Sequence, residues 1–275
     1  MKSNNSANQL SLFDIMPHRA QTQEMPAPHT SRARVPDEEY NAPPIAGLPT
    51  VDSILKKMQR ASVKTSLYEL LSATIECGAI AISNQFDRVQ APQREEQYRQ
   101  TMKRFDPDTR LLIRDVFGDI AALLMNMINP HVGFRDYLGE LFMRSETSSN
   151  KAGQFFTPYN VSKMCAQISI NEAEVNEYIN QDKILTMNEP ACGSGGMILA
   201  AADVLYNQYH FNIARNLFVI CSDIDIRCVH MTYLQLSLAG IPAIVYQQNT
   251  LTLETWQSWE TPAYIMQYTR FRDVF

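Results

Sequence analysis

The sequence predicts an α/β fold over residues 148–275, a helical domain over 50–147 and a disordered tail over 1–48. Three observations carry this. Short apolar runs alternate with helix-patterned segments in the second half, the signature of a parallel sheet with crossover helices. The middle carries apolar residues at helical spacing. The first stretch is rich in Pro, Ser, Asn and Gln, has little apolar periodicity, and cannot bury enough surface to fold.

In the helical domain, Val51 to Ile82 spaces Ile54, Leu55, Leu67, Leu70 and Leu71 along one helical face. Leu111-Leu112-Ile113 through Met127 forms another helix, with Asp108-Thr109 as its expected cap. Beyond residue 148, helices are expected over Pro158 to Ile179, Gly196 to Tyr209 and Asp225 to Ala239. Three strands fall at Ile184-Leu185-Thr186-Met187, Leu217-Phe218-Val219-Ile220-Cys221 and Ala243-Ile244-Val245-Tyr246. The first reads as a buried strand. Thr157-Pro158 reads as a helix start, with the hydroxyl at the N-cap and proline at the first helical position.

The first strand runs into Glu189-Pro190-Ala191-Cys192-Gly193-Ser194-Gly195-Gly196. An acid at a strand end, a glycine-rich turn and a helix bring bare backbone close to a ligand. Alone, such a turn indicates a nucleotide-like ligand and little more. A second element lies upstream, Gly153-Gln154-Phe155-Phe156-Thr157-Pro158.

In that order the pair resembles the N6-adenine-specific DNA methyltransferases, and among them the modification subunit of type I restriction-modification systems. Asp136-Tyr137-Leu138-Gly139-Glu140 and Leu236-Ser237-Leu238-Ala239-Gly240 extend the likeness over about the second half of the chain. The resemblance implies a partial Rossmann-like S-adenosylmethionine-dependent domain, with S-adenosyl-L-methionine as cofactor and DNA as partner. It implies that Gln154, Phe155, Phe156, Thr157 and Pro158 pack on the cofactor. Glu189 would meet its ammonium, and Gly193, Ser194, Gly195 and Gly196 would pass beneath its methionine and ribose. Asp223 ends the second strand and can accept both ribose hydroxyls, with Asp225 as the fallback. Asn249 stands where the family usually has Asp, and its amide can still hydrogen-bond the adenine.

Such enzymes also carry an Asn/Asp/Ser-Pro-Pro-aromatic segment after the fourth strand. It holds the target amino group toward the sulfonium methyl and stacks on the flipped base. The given sequence has no such motif downstream of the turn; its Pro43-Pro44 pair is far too early. The nearest candidate is Thr261-Pro262-Ala263-Tyr264, with Thr261 as acceptor and Tyr264 as the stacking ring. Thr255 to Glu260, just before it, lacks the apolar run of a buried fourth strand.

Net charge is −5, which disfavours strong non-specific DNA binding by the whole chain and leaves room for a local basic face. Lys56, Arg60 and Lys64 share a helix face, as do Arg99 and Lys103; both sets read first as solvated faces. The five cysteines, Cys77, Cys165, Cys192, Cys221 and Cys228, form no Cys-x-x-Cys pair. They fit a reducing cytoplasm and argue against a disulfide framework or zinc, and no metal site is expected. No signal peptide or membrane-length apolar run is present. In the tail, Gln9, Leu10, Leu12 and Phe13 look like the peptide that docks bacterial proteins on the DNA polymerase sliding clamp. Three functions stay open: a DNA adenine N6-methyltransferase, a non-catalytic cofactor-binding homologue that regulates restriction, and a clamp-tethered DNA-interaction protein. A specificity or restriction subunit is a further candidate partner.

Overall fold

A computed structural model describes residues 47–61, 65–129, 132–146 and 156–272. Gln9 to Phe13, Lys64, Gln154 and Phe155 lie outside them. Five helices come first: α1 (Val51–Ala61), α2 (Leu67–Phe86), α3 (Ala91–Lys103), α4 (Pro107–Met125) and α5 (Tyr137–Glu146). The apolar spacing of Val51 to Ile82 resolves into two helices. Ser66 starts α2 by accepting the Glu69 N–H at 3.2 Å. Helix α4 begins earlier than its sequence cap. Asp106 accepts the N–H groups of Asp108 and Thr109, and Pro107 takes the first position, where its missing N–H costs nothing.

The α/β part runs α6 (Tyr159–Ser169), α7 (Glu172–Asn180), β1 (Leu185–Glu189), α8 (Gly196–Tyr209), α9 (Ile213–Asn216), β2 (Leu217–Asp223), α10 (Ile226–Leu238), β3 (Ala243–Asn249), β4 (Glu254–Glu260), α11 (Pro262–Met266) and α12 (Tyr268–Phe271). The expected helix from Pro158 to Ile179 breaks at Ile170-Asn171. Asn171 leaves the helical region and caps α7 through the Ala173 and Glu174 N–H groups. Its short side chain competes with the helical backbone and starts a new helix. At the other end, Pro158 rather than Thr157 is the N-cap of α6, with extended ψ and no side-chain bond.

The sheet order is β1-β2-β3-β4. The first three strands are parallel, and β4 folds back antiparallel on β3. Strand β1 pairs with β2 only, among the described residues, and its Thr186 and Asn188 are exposed. It is therefore a half-buried edge, not the buried strand its apolar run suggests. Strand β4 forms despite its polar sequence. Its first five residues are exposed, as suits an edge strand.

Two long-range contacts fix β4. Arg94 of α3 donates to the Ser258 carbonyl at 2.7 Å and lies 3.9 Å over the Trp259 ring. Trp259 is fully buried against His230 and Tyr233 of α10. One apolar core runs from α1 through the helical layer to the sheet, with Phe117, Phe134, Phe142, Tyr233 and Trp259 among its large members. A smaller cluster of Phe218, Ile244, Tyr264 and Phe271 covers the opposite face of β2 and β3. No described helix is long and apolar enough to cross a membrane.

Candidate functional site

The carboxyl ends of β1, β2 and β3 converge on the glycine turn. Cys192 N–H donates to the Ser222 carbonyl at 2.9 Å, joining the turn to the end of β2. The Pro190 carbonyl accepts from Ser222 Oγ at 3.2 Å and from Thr250 Oγ1 at 2.5 Å, so all three strand ends are tied together. Gly195 precedes α8 with φ +95°, in the left-handed region that favours glycine.

What fills the space beside the turn differs from the sequence reading. A Cβ on Gly196 would sit 2.8 Å from Asp136 Oδ2, and one on Gly195 would meet Thr232 Oγ1 at 3.2 Å. A Cβ on Gly193 would touch the Phe156 ring at 3.1 Å. The bare backbone thus admits the protein's own side chains on one side of the turn. Of the aromatic segment, Phe156 is half-buried and packs on Phe142 with ring centroids 5.6 Å apart, while Thr157 and Pro158 are exposed.

The acids are placed at the strand ends as expected. Glu189 is half-buried, and its Oε1 accepts the Ala191 N–H at 3.1 Å. Asp223 Oδ2 accepts the Gly193 N–H at 2.9 Å and its Oδ1 accepts the Asp225 N–H at 2.9 Å. An ionised carboxylate offers about four acceptor positions, so both acids retain capacity for a ligand. Asp225 caps α10 through the Arg227 N–H and pairs with the Arg227 guanidinium; burial pushes its carboxyl up. Both its oxygens are therefore committed to Arg227. Asn249 Oδ1 accepts the Leu251 and Thr252 N–H groups at 3.0 and 3.3 Å, closing the β3–β4 turn. Its carbonyl oxygen has a structural task that competes with an adenine contact.

Thr261, Pro262 and Tyr264 are not brought to the turn. Thr261 is fully buried at the amino end of β3. Its hydroxyl accepts the Ala243 N–H at 2.8 Å and donates to the Ile241 carbonyl at 2.9 Å. Pro262 is buried as the first residue of α11, and Tyr264 stacks on Phe218 at 5.3 Å and 12°. Seven strand residues, roughly 20 Å, separate the two ends of β3. A stacking ring and acceptor there cannot reach a group held at the turn. The physical reason is the reversal of β4, which carries this segment back to the amino edge.

The sequence assigns no role to three residues beside the turn and the strand ends. Ile224, between Asp223 and Asp225, is 60% exposed. Asp136 and Gln235 are buried polar residues bonded to the turn. The apolar residue between Asp223 and Asp225 was the only local signal; the other two depend on long-range packing. A cavity of about 490 Å³ lies nearby between α2 and α10, lined by Tyr68, Glu76, Arg104, Phe142, Arg227 and His230 among others. None of the predicted cofactor residues among the described residues lines it. No cluster of metal-binding side chains occurs among the described residues. On α1, Lys56 and Arg60 are exposed, and on α3 Arg99 is paired with Glu95 and Glu96.

Comparison with known proteins gives two findings. A family model described as N-6 DNA Methylase matches residues 135–274, just over half of the chain. The chain is also similar to the crystal structure of the type I restriction-modification system methyltransferase subunit from Streptococcus thermophilus, at 19% identity and a TM-score of 0.37. That likeness covers 70% of this chain and 37% of the other, so the chain spans little more than a third of that protein's length. No curated protein matches the chain.

Proposed function

This chain belongs to the N-6 DNA methylase family, and on that premise we propose that it binds S-adenosylmethionine for methyl transfer to adenine in DNA. The observation that carries the cofactor reading is the convergence of three strand ends on a turn flanked by two carboxylates, Glu189 and Asp223. Ligands of open α/β sheets bind at the carboxyl ends of the strands. This acceptor set fits a cationic ammonium and a ribose diol. Glu189 would hold the ammonium, Asp223 the ribose hydroxyls, and Ile224 would cover the adenine face. Phe156 would close the methionine end, with Gln154, Phe155, Thr157 and Pro158 as neighbours in sequence. When bound, the cofactor supplies an electrophilic methyl group. The residues named here bind and orient it.

The position of Thr261 to Tyr264 favours a second element for the transfer itself. The target amino group needs an acceptor and a stacking ring beside the methyl, and among the described residues that segment lies at the wrong end of the sheet. A specificity or restriction subunit, or further chain, would supply it. The same observation supports the alternative of a non-catalytic cofactor-binding homologue that regulates restriction. Docking on a sliding clamp through Gln9, Leu10, Leu12 and Phe13 rests on that peptide alone.

The test has two steps. Titration calorimetry with S-adenosylmethionine should show binding that Gly195→Trp abolishes. Unaltered binding by that variant, if folded, would remove the turn from the site. Methylation-sensitive sequencing of DNA from methylase-free cells, with and without a modification partner, then separates the enzyme from the regulator. New methylated adenines establish the former.

A further inference from the structure

We propose that Asp136 is a positioning residue that sets the shape of the glycine turn from the helical layer. Asp136 is 9% exposed, and its carboxylate takes three bonds. Ser194 Oγ donates to Oδ2 at 2.5 Å, while Gln235 Nε2 and the Gly139 N–H donate to Oδ1 at 2.8 and 2.9 Å. Gln235 in turn donates to the Ser194 carbonyl at 2.7 Å and accepts the Leu138 N–H at 3.3 Å. One closed network therefore joins the start of α5, the turn and α10.

The slot is shaped for this carboxylate. A Cβ on Gly139 would lie 2.2 Å from Asp136 Oδ2, and one on Gly196 would lie 2.8 Å from it. Both glycines leave the volume that the carboxylate fills. Burial pushes the Asp136 carboxyl up, against the pull of the three bonds from Ser194, Gln235 and Gly139. Leaving this buried group without its partners would cost free energy, so the three bonds hold it in one geometry. Ser194 lies between the two left-handed glycines Gly193 and Gly195. Asp136 holds its side chain and, through Gln235, its carbonyl. The turn that follows β1 is thus fixed from outside the sheet.

What the turn binds rests on the cofactor reading above; that Asp136 shapes the turn does not. The experiment therefore reads both. Amide hydrogen exchange of the ligand-free protein is followed over the peptide spanning 190–199, and S-adenosylmethionine affinity is measured by calorimetry. Asp136→Ala should exchange at the turn about tenfold faster, with peptides of α4 unchanged, and should bind the cofactor about tenfold more weakly. Asp136→Asn should rescue both to within about threefold. Its amide oxygen still accepts from Gln235 and Gly139, and its NH₂ can donate to Ser194 Oγ. Ser194→Ala cuts the link from the other side and should loosen the turn even if Asp136→Ala fails to fold. Wild-type exchange at the turn in Asp136→Ala or Ser194→Ala would overturn the proposal, as would an Asp136→Asn variant as loose as Asp136→Ala. Loss of turn protection in a series whose wild type binds no S-adenosylmethionine would keep the positioning role and sink the cofactor reading.

Discussion

The two ends of this sheet are built from different materials. At the carboxyl end, Glu189, Asp223 and Asn249 are half-buried, and their bonds run to backbone N–H groups of the loops. At the amino end, Thr261, Tyr264, Phe218 and Trp259 are sealed in apolar packing. The first arrangement keeps acceptors available to a ligand; the second uses its polar atoms internally. A sequence segment at a plausible distance from a binding turn therefore reveals its role only when the direction of the intervening strand is known.

The largest expected effect tests the amino end as core. Trp259→Ala should lose about 4 kcal/mol of stability in urea denaturation, within the range for deleting a large buried aromatic. The ring is fully buried under Arg94 and against His230 and Tyr233. Cofactor affinity per folded molecule should stay within about twofold, because Trp259 packs on α10 at His230 and Tyr233, whereas Thr232 and Gln235 are the α10 residues bonded to the turn. An affinity loss matching the stability loss would break the separation of the two ends.

The three parallel strands were legible because each is a short apolar run with a turn signal after it, and the turn because Gly193, Gly195 and Gly196 are local markers. Strand β4 was not. Residues Glu254 to Glu260 alternate no apolar face, and what holds them is Arg94, far away in sequence. The same physics hid the role of Asp136: its partners Ser194 and Gln235 come from distant elements that only the folded chain assembles. Thr261 and Tyr264 were readable as residue types, but their end of the sheet depended on the reversal of β4.

An intermediate effect probes how dry the packing around Trp259 is. Burial, with the Arg94 charge added, holds the His230 imidazole down at about 3. The unfolded chain regains the ordinary value near 6.5, so between those values it binds the extra proton. Above about pH 6.5 this term is absent; as pH falls from there toward about 3 it disfavours the folded state, by about 1.4 kcal/mol per pH unit. Chemical denaturation at pH 6.5 and pH 5 should show a wild-type loss about 2 kcal/mol larger than that of His230→Phe. Equal losses would mean that His230 is hydrated and the packing around Trp259 is open.

The smallest effects decide Thr261 most directly. Thr261→Val keeps the shape and removes the hydroxyl, leaving the buried Ala243 N–H and Ile241 carbonyl without their partner. It should cost about 1–3 kcal/mol, the penalty for unsatisfied buried groups. Thr261→Ser keeps both bonds, loses one methyl group, and should cost about 1 kcal/mol. If Thr261 is structural, the two variants differ in urea midpoint and agree in any methylation measured per folded molecule. A catalytic acceptor gives the opposite pattern: transfer lost in Thr261→Val, kept in Thr261→Ser, with matched midpoints. That pattern would require β4 to lie elsewhere in the active state, with Thr261 released from Ala243 and carried to the other end of the sheet.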